Sequence, residues 1–475
     1  MSSNSRRAVV VGSGPNGLAA AITLAQAGLE VEVFEAESQP GGGARTMELT
    51  LPGFQHDFGS AVHPMAAGSP FFSSLPLHEH GLEWLHFPAP VAHPLDDGTA
   101  VVLERDLGEA VRVLGEDGQA WDRMVRPLME RWREMAPELL RPMIAIPRHP
   151  LVLARFGLQG LAPATTLAKK LFRSERTKAL FAGLAAHSMV ALDRPLTGSF
   201  GIIFAVTAHA VGWPIPSGGA QSITSALRGH LESLGGKVTV STRVDSLTSL
   251  GEFRVALCDV TPRQLLEMAG DRFTPAYKRL LARYRYGPAA FKVDYALSSP
   301  IPWKAPECAR AATVHVGGTM DEVAASEYDT GHGRHPERPF MLVAQPTLVD
   351  PTRAPQGKHI AWTYCHVPNG STVDMLPRME AQLERFAPGF RDCVLARRVL
   401  RPADLQSMDA NLIGGDIGGG AADWSQLIRR PTWRFYSTPA RDVYICSSST
   451  PPGGGVHGMC GYNAAKAALK RLGAK

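Results

Sequence analysis

VVVGSGPNGLAAAITLAQAGLEVEVFEA (residues 9–36) reads as strand, turn, helix and strand in close succession. Residues 8 to 11 are a short apolar run, mostly β-branched, suited to a strand buried on both faces. Gly12, Gly14 and Gly17 follow at the G-x-G-x-x-G spacing, with Pro15 and Asn16 between the last two. The first glycine permits a tight turn and the second lets a diphosphate approach the backbone. The third lets helix and strand pack closely. Leu18 to Gln26, rich in Ala and Leu, predicts a helix that stops at Gly28. Val31, Val33 and Phe34 predict the second strand, which ends at Glu35 and Ala36. A carboxylate at that point can accept hydrogen bonds from a ribose 2′-hydroxyl. The unit therefore predicts an unphosphorylated dinucleotide, and FAD and NAD fit it alike.

The chain has 475 residues, 44% hydrophobic and 20% charged, enough for two or three domains with ample core. A net charge of +5 is too mild to imply nucleic acid. The basic excess is local: residues 139–178 hold eight Lys or Arg and one acid, Glu175, interleaved with Leu, Ile and Phe. Such a stretch suits a helical unit with a basic solvated face before it suits peripheral contact with anionic lipid or an oily substrate carrier. Cys258, Cys308, Cys365, Cys393, Cys446 and Cys460 lie far apart, giving neither a redox dithiol nor a metal spacing. Buried thiols in a reducing compartment are expected. No signal peptide precedes the nucleotide unit, so a cytoplasmic location is expected. Pro195 to Leu227 contains no Asp, Glu, Lys or Arg. Its apolar core is shorter than the ~20 residues needed to span a bilayer, so a buried helix lining a pocket is expected.

Nucleotide-fold character appears in three separated places. Besides the N-terminal unit, residues 216–247 read as a glycine turn, an amphipathic helix and a strand from Lys237 to Thr242. Residues 442–472 read as a strand, a glycine-rich turn and a helix. Between them, 76–213 reads as mostly helical, and 268–404 mixes strands with a helix around Met379 to Phe386. The expected fold is α/β. A discontinuous Rossmann-like cofactor domain (1–75, 214–265, 405–475) carries an inserted α+β substrate domain (76–213, 266–404).

Four stretches resemble the flavin-dependent phytoene-desaturase and amine-oxidase superfamily. They are EAESQPGGGARTMELTLPGFQHDFGSAVHP (35–64), WPIPSGGAQSITSAL (213–227), NLIGGDIGGG (411–420) and STPPGGGVHGMCGYNAA (449–465). The resemblance is strongest to the branch called pyridine nucleotide-disulfide oxidoreductase domain-containing protein 2, and it implies FAD. It also implies cofactor contacts from Gly41, Gly42, Gly43 and Ala44, with Arg45 offering charge. Gly59 and Ser60 would lie near the ribityl chain or flavin, and Val244 would hold the adenine through its backbone. Gly455, Val456 and His457 would open a helix whose dipole favours negative charge on the reduced ring. The chain is shorter than is usual for the branch, and it supplies no dithiol.

Flavin desaturation needs few side chains, because the ring accepts a hydride and a base or water takes the proton. Lys292 is a lone cation in an apolar strand, and the resemblance implies a lysine near the flavin; a solvent-facing strand lysine is the other reading. His63 either faces the flavin or is a hydrogen-bonded structural histidine. No metal site emerges. The expected activity is desaturation, saturation or isomerisation of a small hydrophobic substrate. An amine or alcohol oxidase with an aromatic cage from two of Trp362, Tyr364, Trp433 and Tyr436 is the first alternative. A flavoprotein acting only through partners is the second. The sequence assigns no oligomeric state.

Overall fold

A computed structural model describes residues 6–473; the outermost ends of the expected cofactor domain, 1–5 and 474–475, lie outside the described residues. Two large sheets organise the chain. The first has five strands, in the order Val443–Ile445, Val255–Cys258, Arg7–Val11, Glu30–Phe34 and Lys237–Thr239, all parallel. Its central strands are apolar on both faces because helices cover both. Ala8 and Val10 pack with Leu18, Ile22, Ile223 and Leu469 on one side. Val9 and Val11 pack with Leu265, Tyr277 and Leu281 on the other. The helix after the glycine turn runs Pro15–Gln26, starting at the proline because its ring already holds helical φ.

The second sheet has seven strands, in the order Val394–Leu400, Ala289–Leu297, His359–Val367, Met341–Ala344, Ala311–Val316, Ala89–Pro94 and Ala100–Leu103. Its pairs are antiparallel except that of Ala311–Val316 with Ala89–Pro94. One face packs Phe291, Val293 and Tyr295 under the helix Leu376–Phe386. The other turns Ala290, Leu342, Trp362 and Tyr364 toward a helical layer that includes Gly118–Met129, Glu175–Ala186 and Thr197–Ala210.

Several expectations change in detail. Residues 76–213 are not helical throughout, because Ala89–Pro94 and Ala100–Leu103 form a hairpin in the second sheet. The strand expected over 237–242 ends at Thr239, since Ser241 adopts φ +51° and breaks the extension. The run 340–349 gives only the strand Met341–Ala344, because Pro346 starts a 3-10 turn. The charge-free stretch does contain a buried helix, Thr197–Ala210. Among the described residues no helix is long and apolar enough to cross a membrane.

Candidate active site

A cavity of about 720 Å³ opens where the two sheets meet. Val11 and Phe34, at the C-terminal ends of adjacent parallel strands, form one end of its wall. Ala290, Lys292, Trp362 and Tyr364 of the antiparallel sheet form another part. This is where ligands bind in open parallel sheets, beyond the strand ends.

The glycine turn sets the nucleotide end. Gly12 adopts φ +96° and its N–H donates to the Phe34 carbonyl at 2.8 Å, closing the turn against the second strand. A Cβ on Gly17 would lie 2.1 Å from the Gly12 carbonyl oxygen, so helix and strand approach only with glycine there. A Cβ on Gly42, at φ +55°, would lie 3.2 Å from the Gly14 Cα. The two glycine motifs therefore abut as bare backbone, a surface that a phosphate can approach. Glu35 is buried. Its Oε2 accepts from the Ser13 N–H at 2.9 Å and the Ser13 hydroxyl at 2.6 Å, and its Oε1 accepts from the Glu37 N–H at 2.9 Å. Oε1 keeps a lone pair that a ribose hydroxyl can use.

Every cofactor residue expected from the sequence lines this cavity except Gly17, Gly41 and His457. Gly17 acts in packing, as its motif position requires. His457 is displaced from its expected role. It is buried before the helix Met459–Leu472, where its Nδ1 accepts from the Met459 N–H at 3.0 Å and its carbonyl accepts from the Ser69 hydroxyl at 2.7 Å. Burial pulls its imidazole down to about 4, so the ring is neutral. Arg45 is also committed. Its Nε donates to the Gly42 carbonyl at 2.8 Å and its Nη2 to the Met408 carbonyl at 2.5 Å, with the guanidinium 4.9 Å from the Phe58 ring centroid. It braces the second glycine turn and leaves Nη1 to reach further.

The sequence reading missed the acids. Asp259 follows the strand Val255–Cys258, and its Oδ2 accepts from the Gly17 N–H at 2.8 Å. A Cβ on Gly14 would lie 2.9 Å from that same oxygen. The protein's own carboxylate thus occupies a donor at the helix N-terminus, the place where an anion is favoured. Burial pushes Asp259 up to about 7, and the neighbouring Asp409 and Glu35 add to the rise against the Gly17 hydrogen bond. Asp409 is likewise raised by burial. The signal for Asp259 was an acid directly after a strand of the nucleotide sheet, but 242 residues separate it from Gly17. Nothing local marks the encounter.

Further along, Asp416 in the Gly-Gly-Asp-Ile stretch accepts from the N–H groups of Gly287 at 2.8 Å and Gly418 at 2.7 Å. It therefore ties the loop over 414–420 to the second sheet. Arg430, buried, sits over this loop and donates to the Gly418 carbonyl at 3.2 Å and the Tyr284 hydroxyl at 3.3 Å, while its Nε has no partner among the described residues.

At the far end, Gly59, Ser60, His63 and Lys292 line the cavity together, and Trp362 Nε1 donates to the Gly59 carbonyl at 2.7 Å. Lys292 is buried, so the solvent-facing alternative is excluded. It pairs with Asp294, two residues along the same strand face, and Nζ lies 6.0 Å from the Trp362 ring centroid. Burial pulls the Lys292 ammonium down and pushes Asp294 up to about 6. His56 Nδ1 lies 3.7 Å from the other Asp294 oxygen, and the Thr50 hydroxyl contacts His56 Nε2 at 2.7 Å. Burial lowers His56 to about 3 and His63 to about 4, so both are neutral. Beyond Lys292 the wall is mainly apolar: Leu342, Phe200, Phe204, Trp213 and Met189, with His187 among them. Trp362 and Tyr364 both face the cavity, edge to face at 5.0 Å and 72°. Being neighbours on one strand, they form one wall and not two opposed ones. Trp433 is exposed, and Tyr436 donates to the Pro451 carbonyl at 3.0 Å away from the cavity. Among the described residues no cluster of three metal-ligating side chains occurs, and the six cysteines are unpaired thiols.

Residues 10–73 match the family model of an NAD(P)-binding Rossmann-like domain. Over 98% of its length the chain is 26% identical to pyridine nucleotide-disulfide oxidoreductase domain-containing protein 2 of Rattus norvegicus, covering 93% of that protein. It is 26% identical to a phytoene dehydrogenase of Streptomyces griseus, over 82% of this chain and 77% of that one. An oxidoreductase from Methanosarcina mazei shares the fold, with a TM-score of 0.64 at 17% identity over 98% of this chain and 100% of its own. Putrescine oxidase does so with a TM-score of 0.60 at 15% identity over 99% of each chain. The N-terminal unit is thus Rossmann-like, and the chain is similar to oxidoreductases: to phytoene dehydrogenase in sequence and to putrescine oxidase in fold. Similarity over 98% of the chain extends to the proteins named pyridine nucleotide-disulfide oxidoreductase domain-containing protein 2 and, at 22% identity, to a lycopene-forming phytoene desaturase of Pseudescherichia vulneris.

Proposed function

We propose that the chain is an FAD-dependent oxidoreductase that desaturates, saturates or isomerises a hydrophobic substrate. One observation carries this reading: a single cavity joins the bare-backbone glycine surface beside Glu35 to an aromatic and aliphatic far wall. The residues fit the cofactor. Glycine Cβ positions are closed by backbone or carboxylate at Gly17 and Gly14, and buried polar atoms such as Asn16 Oδ1 and Arg430 Nε lack protein partners among the described residues. Gly12, Gly14 and Gly42 would hold the diphosphate, Glu35 the ribose and Val244 the adenine. When bound, FAD would supply the acceptor or donor of a hydride.

The chain's own residues do the rest. Phe200, Phe204, Trp213 and Leu342 give a substrate hydrocarbon an apolar bed and exclude water. Lys292 is the one lysine among the described lining residues. Unlike Arg45 and Arg430 it can release its proton, and Asp294 beside it is placed to hold or return that proton. Trp362, pinned to Gly59, orders the wall next to the Lys292 ammonium. The Trp362–Tyr364 pair keeps an amine or alcohol oxidase as the second reading. Anaerobic mixing of the loaded protein with polyenes, isoprenoids and amines separates them. Bleaching of the flavin band by an isoprenoid and not by putrescine is expected, whereas bleaching by amines alone would select the oxidase.

A further inference from the structure

We propose that the surface from Met143 to Leu161 docks on an anionic lipid bilayer. Fifteen large hydrophobic side chains are exposed among the described residues, and six of them fall here: Met143, Ile144, Ile146, Leu151, Leu158 and Leu161. Ile146 is 89%, Leu158 84% and Leu151 79% exposed, so these side chains stand clear of the protein. The remaining nine are scattered over the chain, which is ordinary for a globular surface.

Local structure presents the patch as a unit. In the helix Pro150–Gly160, Val152, Phe156 and Gly160 face inward, while Leu151, Arg155 and Leu158 share the outer face at spacings of four and three. The preceding loop is held against the helix start. Glu138 accepts from the N–H groups of Arg148 at 2.8 Å and His149 at 3.0 Å, and it pairs with Arg141. Met143, Ile144 and Ile146 are thereby kept at the N-terminal end of that face.

Charge selects the occupant. Arg148 and Arg155 are exposed, lie among the apolar side chains and make no ion pair among the described residues. Lys169, Lys170 and Arg173 follow, exposed and similarly unpaired. Long cationic side chains around protruding Leu and Ile match a lipid surface, where the aliphatic tips enter the acyl boundary and the cations meet phosphate. A second copy is disfavoured, because a two-fold interface would bring the same cations face to face. Six exposed apolar side chains among these cations favour the lipid reading over a merely solvated basic face.

The patch is also one helix away from the cavity. Helix Thr197–Ala210 packs on Pro150–Gly160 through Gly160 and Ser199, and its Phe200 and Phe204 line the cavity. A docked protein would thus place the apolar end of the cavity beside the bilayer. The docking itself does not depend on the proposed chemistry.

The test is co-sedimentation of the full chain with phosphatidylcholine vesicles, with and without phosphatidylglycerol. We expect about tenfold or greater preference for the anionic vesicles at low salt, fading as salt rises. Leu151→Asp/Leu158→Asp should lose at least about tenfold in binding with an unchanged melting temperature. Arg148→Gln/Arg155→Gln should weaken the anionic preference while keeping the fold. Protein that stays in the supernatant with both vesicle types would overturn the proposal. Unaltered binding by the double-Asp variant would overturn it equally. So would a dimer in light scattering that this variant dissociates, since the face would then be covered by a second copy.

Discussion

Asp259 is the residue on which the electrostatics of the nucleotide end turn. Its carboxyl is buried beside Gly14 and hydrogen-bonded to the Gly17 N–H, and burial lifts it to about 7. A group raised in the folded state stabilises the fold fully below its unfolded value near 3.8 and loses that contribution as pH rises to about 7. A diphosphate placed on the same glycines carries its charge across this whole range, so it binds best while Asp259 is protonated. Dinucleotide affinity measured by fluorescence titration should therefore fall above pH 7, by up to about tenfold per pH unit for one linked proton. Asp259→Asn keeps an acceptor for Gly17 and should flatten the profile; a slope that survives in this variant would remove Asp259 from the account. The Lys292–Asp294 pair gives a second residue-scale prediction. Lys292→Met strands a buried carboxylate and should cost about 3–5 kcal/mol in denaturant titrations. Lys292→Met/Asp294→Leu should recover more than half of that loss, and equal losses would mean that the two groups do not interact.

Among the elements, helix Pro15–Gln26 is clamped by helix Met459–Leu472, and the crossing depends on Gly461. A Cβ there would lie 1.8 Å from the Asn16 carbonyl oxygen, backbone that cannot yield without moving the glycine turn. Gly461→Ala should cost about 2 kcal/mol or more and lower nucleotide binding with it. Gly157→Ala meets nothing within 4 Å in helix Pro150–Gly160 and should be neutral or slightly stabilising. Thermal melts of the two variants separate packing from propensity. The first strand–turn–helix–strand unit was legible because its period, its glycines and its terminal acid are all local. The hairpin Ala89–Pro94 with Ala100–Leu103 was not, because Pro90 and Pro94 argue against a strand. The Asp97-Gly98 turn ahead of an Ala-Val-Val-Leu run was the available signal. Asp259 and Asp409 stayed hidden because loops distant in sequence meet only after folding. Lys292 stood out as a lone cation in an apolar strand, whereas its burial follows from sheet pairing and the helical layer above it.

At the scale of the whole molecule, segments near residues 10, 240 and 445 build one parallel sheet, and segments near 90 and 290–400 build the other. The cavity exists only where the two meet, which is why its wall draws on Val11 and Val456 as well as Lys292 and Tyr364. The sequence carried this division through its three separated glycine-bearing units, but it did not carry the shape of the far wall. That wall is set by which face of His359–Val367 turns inward and by the packing of Thr197–Ala210. The central claim is that this cavity holds FAD. The most direct measurement is to denature the purified protein and identify the released nucleotide by chromatography and absorbance. The account predicts yellow protein releasing close to one FAD per chain. Protein that is colourless and takes up no added FAD, or that releases only a nicotinamide dinucleotide, would contradict it.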